Sequence, residues 1–196
     1  MGPMSPTAPH HEAASPLPGD EAPSLLHVIV AAGSLDEWAA TSDERWAALA
    51  ADLGKVADQV GAQWLTLRPT SPGLSGGGPA DDLARRTAQV GGCAVTIDAE
   101  ADGRVRLAAA AEQCRLAGDP IDERHLSAVL QAPALVDPDL VLVVGPGHRL
   151  PTSLVWELAY SELVFLDVAF ADIGAGHLED AIASYRHRHR RFGGVD

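Results

Sequence analysis

Two short apolar runs constrain the fold of this chain more than any other feature of its sequence. Residues 25–32 and 140–144 are rich in β-branched side chains, and each run ends at a glycine. Runs of this length and composition are typical of strands that are buried on both faces, as in a parallel sheet. The sequence therefore predicts a layered fold around a central sheet.

A helix that packs on this sheet is predicted after the first run. Its apolar positions are spaced three, four, three and four residues apart, and they are Trp46, Leu49, Leu53, Val56 and Val60. Candidate N-cap residues are Thr41, Ser42 and Asp43. Further strands are predicted at 63–67, 93–97 and 163–166, and further helices at 81–89, 108–116, 122–130, 152–160 and 176–191. Because strands alternate with helices, we expect an α/β layer fold with a mostly parallel sheet flanked by helices.

Two segments lack any periodicity. Residues 1–23 combine Pro, Ala, Ser and His, a composition that buries too little apolar surface to offset the entropy of ordering. We therefore predict a disordered tail at 1–23 and one domain at 24–196. Residues 69–80 are crowded with Pro, Ser and Gly and are predicted to form a loop. The N-terminus has no continuous apolar stretch of the secretory type, so the expected location is the cytoplasm.

Composition argues against several classes of function. The chain has 14 basic and 27 acidic residues, and its net charge of −13 makes a nucleic-acid backbone an unfavourable partner. No apolar run approaches the roughly 18 to 20 residues that span a bilayer, so no transmembrane segment is expected. Cys93 and Cys114 stand apart from each other and lack the spacing of a metal site.

The most specific pattern lies in residues 139–194. A strand ends in a Gly-Pro-Gly turn followed by Arg149, then Trp-Glu-Leu-Ala-Tyr-Ser-Glu ends at Glu162, and Arg-Arg-Phe-Gly-Gly closes the segment. These motifs resemble the cis-prenyltransferase (undecaprenyl diphosphate synthase) family. Its signature is a strand ending in Arg-Thr-Gly-Gly-Glu, then Arg-x-Ser-Asn, Trp-Gln-x-Ala-Tyr-x-Glu and Arg-x-Gly. A weaker likeness joins His27-Val28 and Trp38 to the start of the family pattern.

The resemblance implies condensation of isopentenyl diphosphate onto an allylic diphosphate, usually by a dimer with Mg²⁺. However, the family's catalytic Asp falls on Gly33, and its phosphate-cradling Gly-Asn-Gly-Arg loop becomes Ser-Leu-Asp-Glu at 34–37. Asp36 and Glu37 would each repel a phosphate charge by about 3 kcal/mol at about 5 Å and an effective dielectric near 20. The alternative interpretation of this pair is a solvated start of a helix.

Other parts of the family's active site are reduced as well. Val143, Gly147 and Pro151 stand where the family has an Arg, a Glu and a phosphate-binding Ser, which leaves Arg149 as the matching cation. The substrate-touching Arg-x-x-Gly-His loop has no equivalent between the first two strands. The long apolar helix that lines the family's tunnel has none after the second strand. We therefore expect this chain to be inactive alone.

The resemblance retains four candidate site residues. Arg149, Arg191 and Gly193 are the expected diphosphate contacts, because Arg191-Phe192-Gly193 matches an Arg-x-Gly element that reaches the partner's active site in heteromeric relatives. The alternative for this basic helix end is that it complements the negative end of the helix dipole. The glutamate matching Glu162 serves the metal site in catalytic members, and the alternative here is a capping or ion-pair role.

These features together resemble the degenerate, non-catalytic type represented by the Nogo-B receptor subunit of dehydrodolichyl diphosphate synthase. The resemblance implies an accessory subunit that pairs with a catalytic cis-prenyltransferase chain, contacts isopentenyl diphosphate and leaves Mg²⁺ mainly to the partner. Through that partner it would come close to a membrane surface. Two alternatives stay open, a weakly active short-chain cis-prenyltransferase and a prenyl-diphosphate-binding protein without turnover.

Overall fold

The computed structural model describes residues 24–71, 83, 85–159 and 161–192, except the side chains of residues 189–192. The tail predicted at 1–23 and most of the loop predicted at 69–80 lie outside the described residues. In chain order the strands are β1 (His27–Ala32), β2 (Trp64–Arg68), β3 (Arg86–Val90), β4 (Cys93–Ile97), β5 (Leu140–Val144) and β6 (Glu162–Leu166). The helices are α1 (Leu35–Ala39), α2 (Asp43–Gln59), α3 (Gly103–Ala117), α4 (Glu123–Gln131) and α5 (Ala175–Phe192).

The strands form one six-stranded sheet in the order β3-β4-β2-β1-β5-β6. Every neighbouring pair is parallel except β3 with β4, which is antiparallel. The predicted α/β fold with a mostly parallel sheet is therefore confirmed. Within the described ranges, none of the helices combines the length and the apolar character that crossing a bilayer requires.

The two faces of the sheet differ in polarity. Helices α2 and α5 cover one face, and the main apolar core lies there, with Val28, Val30, Leu49, Leu53, Leu178 and Ile182 among its buried members. Ser42 accepts a hydrogen bond from the Arg45 amide and is the N-cap of α2, as the sequence predicts. The opposite face has a smaller apolar cluster and several buried polar residues, which are His27, Thr66, Arg68 and Thr96.

Two predicted helices are wrong. Residues 86–89, predicted as helix, belong to β3, because Gly91 adopts a φ of +59° and allows a tight Gly-Gly turn into β4. Asp58 of α2 accepts a hydrogen bond from the Gly92 amide at 2.7 Å and stabilises this turn. A helix is also predicted at 152–160, but its described residues, 152–159, form turns with one short 3₁₀ segment at Glu157–Ala159, because the backbone groups at the start of this segment bond to other loops.

Candidate functional site

Four loops meet at the carboxyl edge of the parallel strands. They are residues 33–34 after β1, 69–71 after β2, 98–102 after β4 and 145–153 after β5. The chain builds the sheet outward from β1 through β2 and β4 on one side and through β5 and β6 on the other, so the strand order reverses between β1 and β5. In open α/β sheets, ligands bind in the crevice outside the carboxyl ends at such a reversal. This edge is therefore the candidate site.

The loop after β1 is closed by the chain's own polar groups. Ser34 is the N-cap of α1, and the Glu37 carboxylate turns back to accept hydrogen bonds from the Ser34 amide at 2.8 Å and the Ser34 hydroxyl at 3.0 Å. The Leu35 amide donates to the Ser71 carbonyl at 3.1 Å. A carboxylate of the protein thus takes up the amide that would face a phosphate oxygen in a phosphate-binding loop.

The loop after β1 is also closed sterically at Gly33, where the resemblance places the family's catalytic Asp. Gly33 has a φ of +69°, and a Cβ atom built there would lie 2.7 Å from Cγ of Phe170, in the turn before α5. The Phe170 ring stacks on Trp38 and is tilted against Trp46, with centroid distances of 6.5 and 5.8 Å. The Trp38 indole donates to the Ala32 carbonyl at 2.7 Å. Any side chain at residue 33 would have to displace this packed aromatic cluster of Trp38, Trp46 and Phe170.

A cavity of about 290 Å³ lies between the loops that follow β2 and β5. Its lining residues are Thr70, Ser71, Val143, Val144, Gly145, Pro146, Arg149, Leu150 and Thr152. The sequence predicts Arg149 as a substrate contact, and this exposed residue is the basic member of the lining. The Arg149 guanidinium is suited to an anion because it offers charge-assisted hydrogen bonds in a planar fork. The hydroxyl groups of Thr70 and Thr152 already donate to the Gly33 and Ala101 carbonyls. We name this space the Arg149 cavity.

The loops around the Arg149 cavity are joined by hydrogen bonds from Thr152 and Ser153. The Thr152 amide donates to the Thr70 carbonyl at 3.0 Å, and the Thr152 hydroxyl donates to the Ala101 carbonyl at 2.9 Å. The Ser153 hydroxyl donates to the Pro69 carbonyl at 2.6 Å. The loops that follow β2, β4 and β5 are therefore held together as one unit.

A buried ion pair lies beneath these loops. Arg106 of α3 and Glu157 are 8% and 0% exposed, and Nη2 of Arg106 lies 2.8 Å from Oε1 of Glu157. The same guanidinium donates to the Ser153 carbonyl at 2.7 Å and to the Leu130 carbonyl at 3.1 Å. One arginine thus connects α3, the end of α4 and the β5–β6 connection.

A second charged pair lies at the end of β2. Arg68 is 1% exposed and donates to the Asp98 carboxylate at 3.0 Å. Burial, together with repulsion from Arg106, lowers the pKa of Arg68 to about 10. Burial acts to raise the pKa of Asp98, but the Arg68 guanidinium and the Glu100 amide outweigh it, so this pKa lies below its usual range. Both groups stay charged at neutral pH, which makes this part of the sheet face unsuited to line an apolar tunnel.

The structure separates Glu162 from the Arg149 cavity. Glu162 begins β6 and pairs with Leu140 at the amino edge of the sheet, opposite the edge that carries the cavity. Its carboxylate accepts a hydrogen bond from Nη1 of Arg188 at 2.8 Å, which is the ion-pair alternative of the sequence prediction. Arg191 lies in the last turn of α5 with its side chain outside the described residues, and Gly193 lies outside them altogether.

The described side chains do not fit a magnesium site on their own. In the ranges that the structure describes, no group of three or more His, Cys, Asp or Glu side chains could hold a metal ion. Gly33 supplies no ligand where the resemblance places the family's catalytic Asp, and the Glu162 carboxylate is paired with Arg188. A metal contact of Glu162 stays a prediction.

Sequence patterns did not identify three residues that shape this edge. Phe170 follows a short strand with no periodic pattern, so nothing in the sequence places its ring over Gly33. The sequence did not identify Arg106 and Glu157 as buried, because charged residues are expected to be exposed. Arg106 shares the helical spacing of the buried Gly103, Ala110 and Cys114 on α3, and this spacing was the available signal that it faces inward.

The fold and the edge define a class of protein. This is a doubly wound α/β protein with a candidate anion crevice at the reversal of strand order and a closed loop after β1. The family described as putative undecaprenyl diphosphate synthase matches residues 79–193, which are 115 of the 196 residues. The chain belongs to this family. The match begins after β2, so Gly33 and Glu37 lie outside it.

Curated relatives match over part of their length. An isoprenyl transferase of Geobacillus kaustophilus is 41% identical over 90 residues, which cover 46% of this chain and 35% of the relative. Isoprenyl transferase 2 of Bradyrhizobium diazoefficiens is 45% identical over 75 residues, which cover 38% of this chain and 30% of the relative. The chain thus spans about a third of the length of these curated relatives.

Solved structures with the same fold are matched over most of their length. A probable undecaprenyl diphosphate synthase from Campylobacter jejuni has a TM-score of 0.59 at 17% identity, covering 87% of this chain and 99% of that one. Lavandulyl diphosphate synthase from Lavandula x intermedia, in complex with dimethylallyl diphosphate, has a TM-score of 0.59 at 21% identity, covering 83% and 95%. At these identities the likeness concerns the fold.

Proposed function

We propose that this chain is a non-catalytic accessory subunit of a heteromeric cis-prenyltransferase. The partner would be a catalytic chain that makes polyprenyl diphosphate from isopentenyl diphosphate and an allylic diphosphate. This chain would stabilise its partner and donate Arg191 and Gly193 to the partner's diphosphate site. In this proposal the pair works in the cytoplasm, and the partner holds most of the Mg²⁺ coordination. The curated relatives are named as transferases, so the proposal concerns how this chain departs from them.

The closed loop after β1 carries the proposal. Gly33 has no room for a carboxylate beneath Phe170, and the Glu37 carboxylate takes up the Ser34 amide. A diphosphate would meet like charge where a phosphate-binding loop offers donors. This loop has neither room for a carboxylate at Gly33 nor an available Ser34 amide. Both facts argue against independent turnover, and therefore against the alternative of a weakly active short-chain enzyme.

The direction of α5 supports donation to a partner rather than to this chain's own cavity. The helix follows the Phe170 turn, which packs against Gly33 at the carboxyl edge, and Arg188 near its end bonds to Glu162 at the amino edge. Its 18 residues correspond to about 27 Å of helix. Arg191 therefore follows Arg188 at the edge opposite the Arg149 cavity. An anion that Arg191 contacts is best bound in the site of another subunit.

The Arg149 cavity supports a further contact with a diphosphate group. The Arg149 guanidinium in its lining would bind an anion without performing chemistry. The same cavity favours the second candidate function, a prenyl-diphosphate-binding protein without turnover. The two candidates differ in whether a catalytic chain must be present.

Co-expression tests the accessory role. The chain is co-expressed with full-length isoprenyl transferase homologues from its own genome, and the complex is assayed with isopentenyl diphosphate and an allylic diphosphate. We expect co-purification and turnover by the complex, with turnover strongly reduced by Arg191→Ala. Arg115→Ala is the matched control, because Arg115 is an exposed arginine on α3 whose ion pair with Glu112 is local. The control should leave turnover unchanged.

Two results would contradict the accessory role. Turnover by the purified chain alone would show a retained active site. A monomer that captures none of the homologues, yet binds prenyl diphosphates, would favour the binding protein. An Arg191→Ala complex that assembles and retains full turnover would remove the donated contact from the proposal.

A further inference from the structure

We propose that the buried Arg106–Glu157 pair is a positioning device that fixes the β5–β6 connection, and thereby sets the Arg149 cavity for a diphosphate-class anion. The inference deepens the proposed function, because it rests on the Arg149 cavity being an anion contact. Neither residue touches the cavity. Both act through the backbone that lines it.

The pair is built to hold backbone rather than to expose charge. Arg106 donates to Glu157, to the Ser153 carbonyl and to the Leu130 carbonyl, at 2.8, 2.7 and 3.1 Å. Oε2 of Glu157 is buried and has no hydrogen-bond partner among the described residues. A buried ion pair of this kind seldom adds net stability relative to apolar residues of the same size, so its value lies in the geometry that it specifies.

The start of α3 makes a second contact with the same segment. A Cβ atom at Gly103 would lie 2.8 Å from Cγ2 of Val155 and 3.0 Å from the Ser153 carbonyl oxygen. The Gly103 amide donates to the Thr152 carbonyl at 2.9 Å. Helix α3 therefore approaches the β5–β6 connection as closely as a glycine allows, and Arg106 lies one turn further along the same helix.

The path from Arg106 to the cavity is short. Arg106 bonds to the Ser153 carbonyl, and the preceding residue, Thr152, lines the cavity together with Arg149. Thr152 also bonds to the Thr70 carbonyl, and Thr70 lines the same cavity. The connection has little regular structure, so these bonds determine where Thr152 and Arg149 stand. Release of the Ser153 carbonyl should therefore loosen the anion site.

Titration of the full chain with inorganic pyrophosphate tests this inference by isothermal calorimetry. Arg106→Met leaves a buried carboxylate unpaired and can unfold the chain, so the decisive variant is Arg106→Met/Glu157→Met, which removes both charges. We expect it to unfold as cooperatively as the wild type and to bind pyrophosphate about tenfold more weakly, because the site is misplaced rather than lost. Arg106→Lys keeps the charge and one donor group beside Glu157. Its affinity for pyrophosphate should therefore lie between those of the double variant and the wild type.

Two control variants locate the effect. Arg115→Met removes an exposed guanidinium from the same helix and should leave the affinity unchanged. Arg149→Ala should abolish binding, since Arg149 is the cation of the cavity.

The inference fails if the double variant binds pyrophosphate as tightly as the wild type, because the pair is then only structural. It also fails if the wild type does not bind, or if Arg149→Ala binds normally. The titration needs no partner subunit. Retained pyrophosphate binding with no co-purifying catalytic chain would therefore refute the accessory role alone.

Discussion

Substitution of Gly33 measures how firmly the loop after β1 is closed. Two costs add in Gly33→Ala. The left-handed φ of +69° costs about 1–2 kcal/mol for a residue with a Cβ atom. Contact of that atom with Phe170, at 2.7 Å from Cγ and 3.0 Å from Cδ1, adds about 1–3 kcal/mol of overpacking. We expect the free energy of unfolding to fall by about 2–5 kcal/mol, the sum of these two costs.

Gly118 provides the matched control for this substitution. Gly118 has a φ of +79° and nothing within 4 Å of a built Cβ atom, so Gly118→Ala carries only the backbone cost. Urea unfolding of both variants, followed by circular dichroism, separates the backbone cost from the contact with Phe170. In a Phe170→Ala background, Gly33→Ala should lower the free energy of unfolding by less than it does in the wild type.

The reasoning is refuted if Gly33→Ala costs no more than Gly118→Ala, or if the Phe170→Ala background does not reduce its cost. Either result would mean that the aromatic cluster yields readily and that a side chain at residue 33 is tolerated. A Gly33→Asp substitution would then be compatible with the fold. If the expected result holds, placing a carboxylate here also requires a smaller residue at 170.

Two further predictions concern buried charge on the polar face of the sheet. Burial lowers the pKa of His27 from 6.5 to about 4, so its contribution to stability is complete above pH 6.5 and is lost as the pH falls toward 4. Between pH 6.5 and pH 4, the free energy of unfolding should fall by about 3 kcal/mol more in the wild type than in His27→Gln. An equal pH dependence of the two proteins would contradict this. Asp98→Asn leaves Arg68 buried without its carboxylate and should cost about 3–5 kcal/mol in urea unfolding. Asp52→Asn, in an exposed pair with Lys55, should cost less than about 0.5 kcal/mol, and similar costs would contradict the burial argument.

The sheet could be predicted from the sequence because its strands are buried on both faces. Continuous apolar runs gave β4 and β5 with the bounds that the structure has, and period-3.6 spacing gave α2. Helix predictions failed at 86–89 and 152–159 for different reasons. The first segment is an exposed edge strand held by its Gly-Gly turn, and the second is positioned by hydrogen bonds to distant loops. Local patterns do not record such long-range bonds.

The candidate site also has features that the sequence predicted and features that it did not. The resemblance to the cis-prenyltransferase motifs indicated Arg149 as an anion contact after β5, and it placed Gly33 where the family has its catalytic Asp. It did not indicate that Phe170 closes the space above Gly33 or that Arg106 and Glu157 lie buried together. These contacts join residues that are 137 and 51 positions apart, so only the packed chain brings them into register.

The sequence by itself determined the family, the layered α/β fold and the residues that mark the carboxyl edge. The fold is encoded locally, in apolar runs, caps and glycine turns, whereas the family and the candidate site residues follow from the resemblance to the cis-prenyltransferase motifs. Tertiary structure decided which carboxylate takes up the Ser34 amide, which ring covers Gly33, and that Glu162 and the end of α5 lie at the edge opposite Arg149. The physical reason is that burial, steric contact and ion pairing depend on distances through space, which the order of residues does not specify.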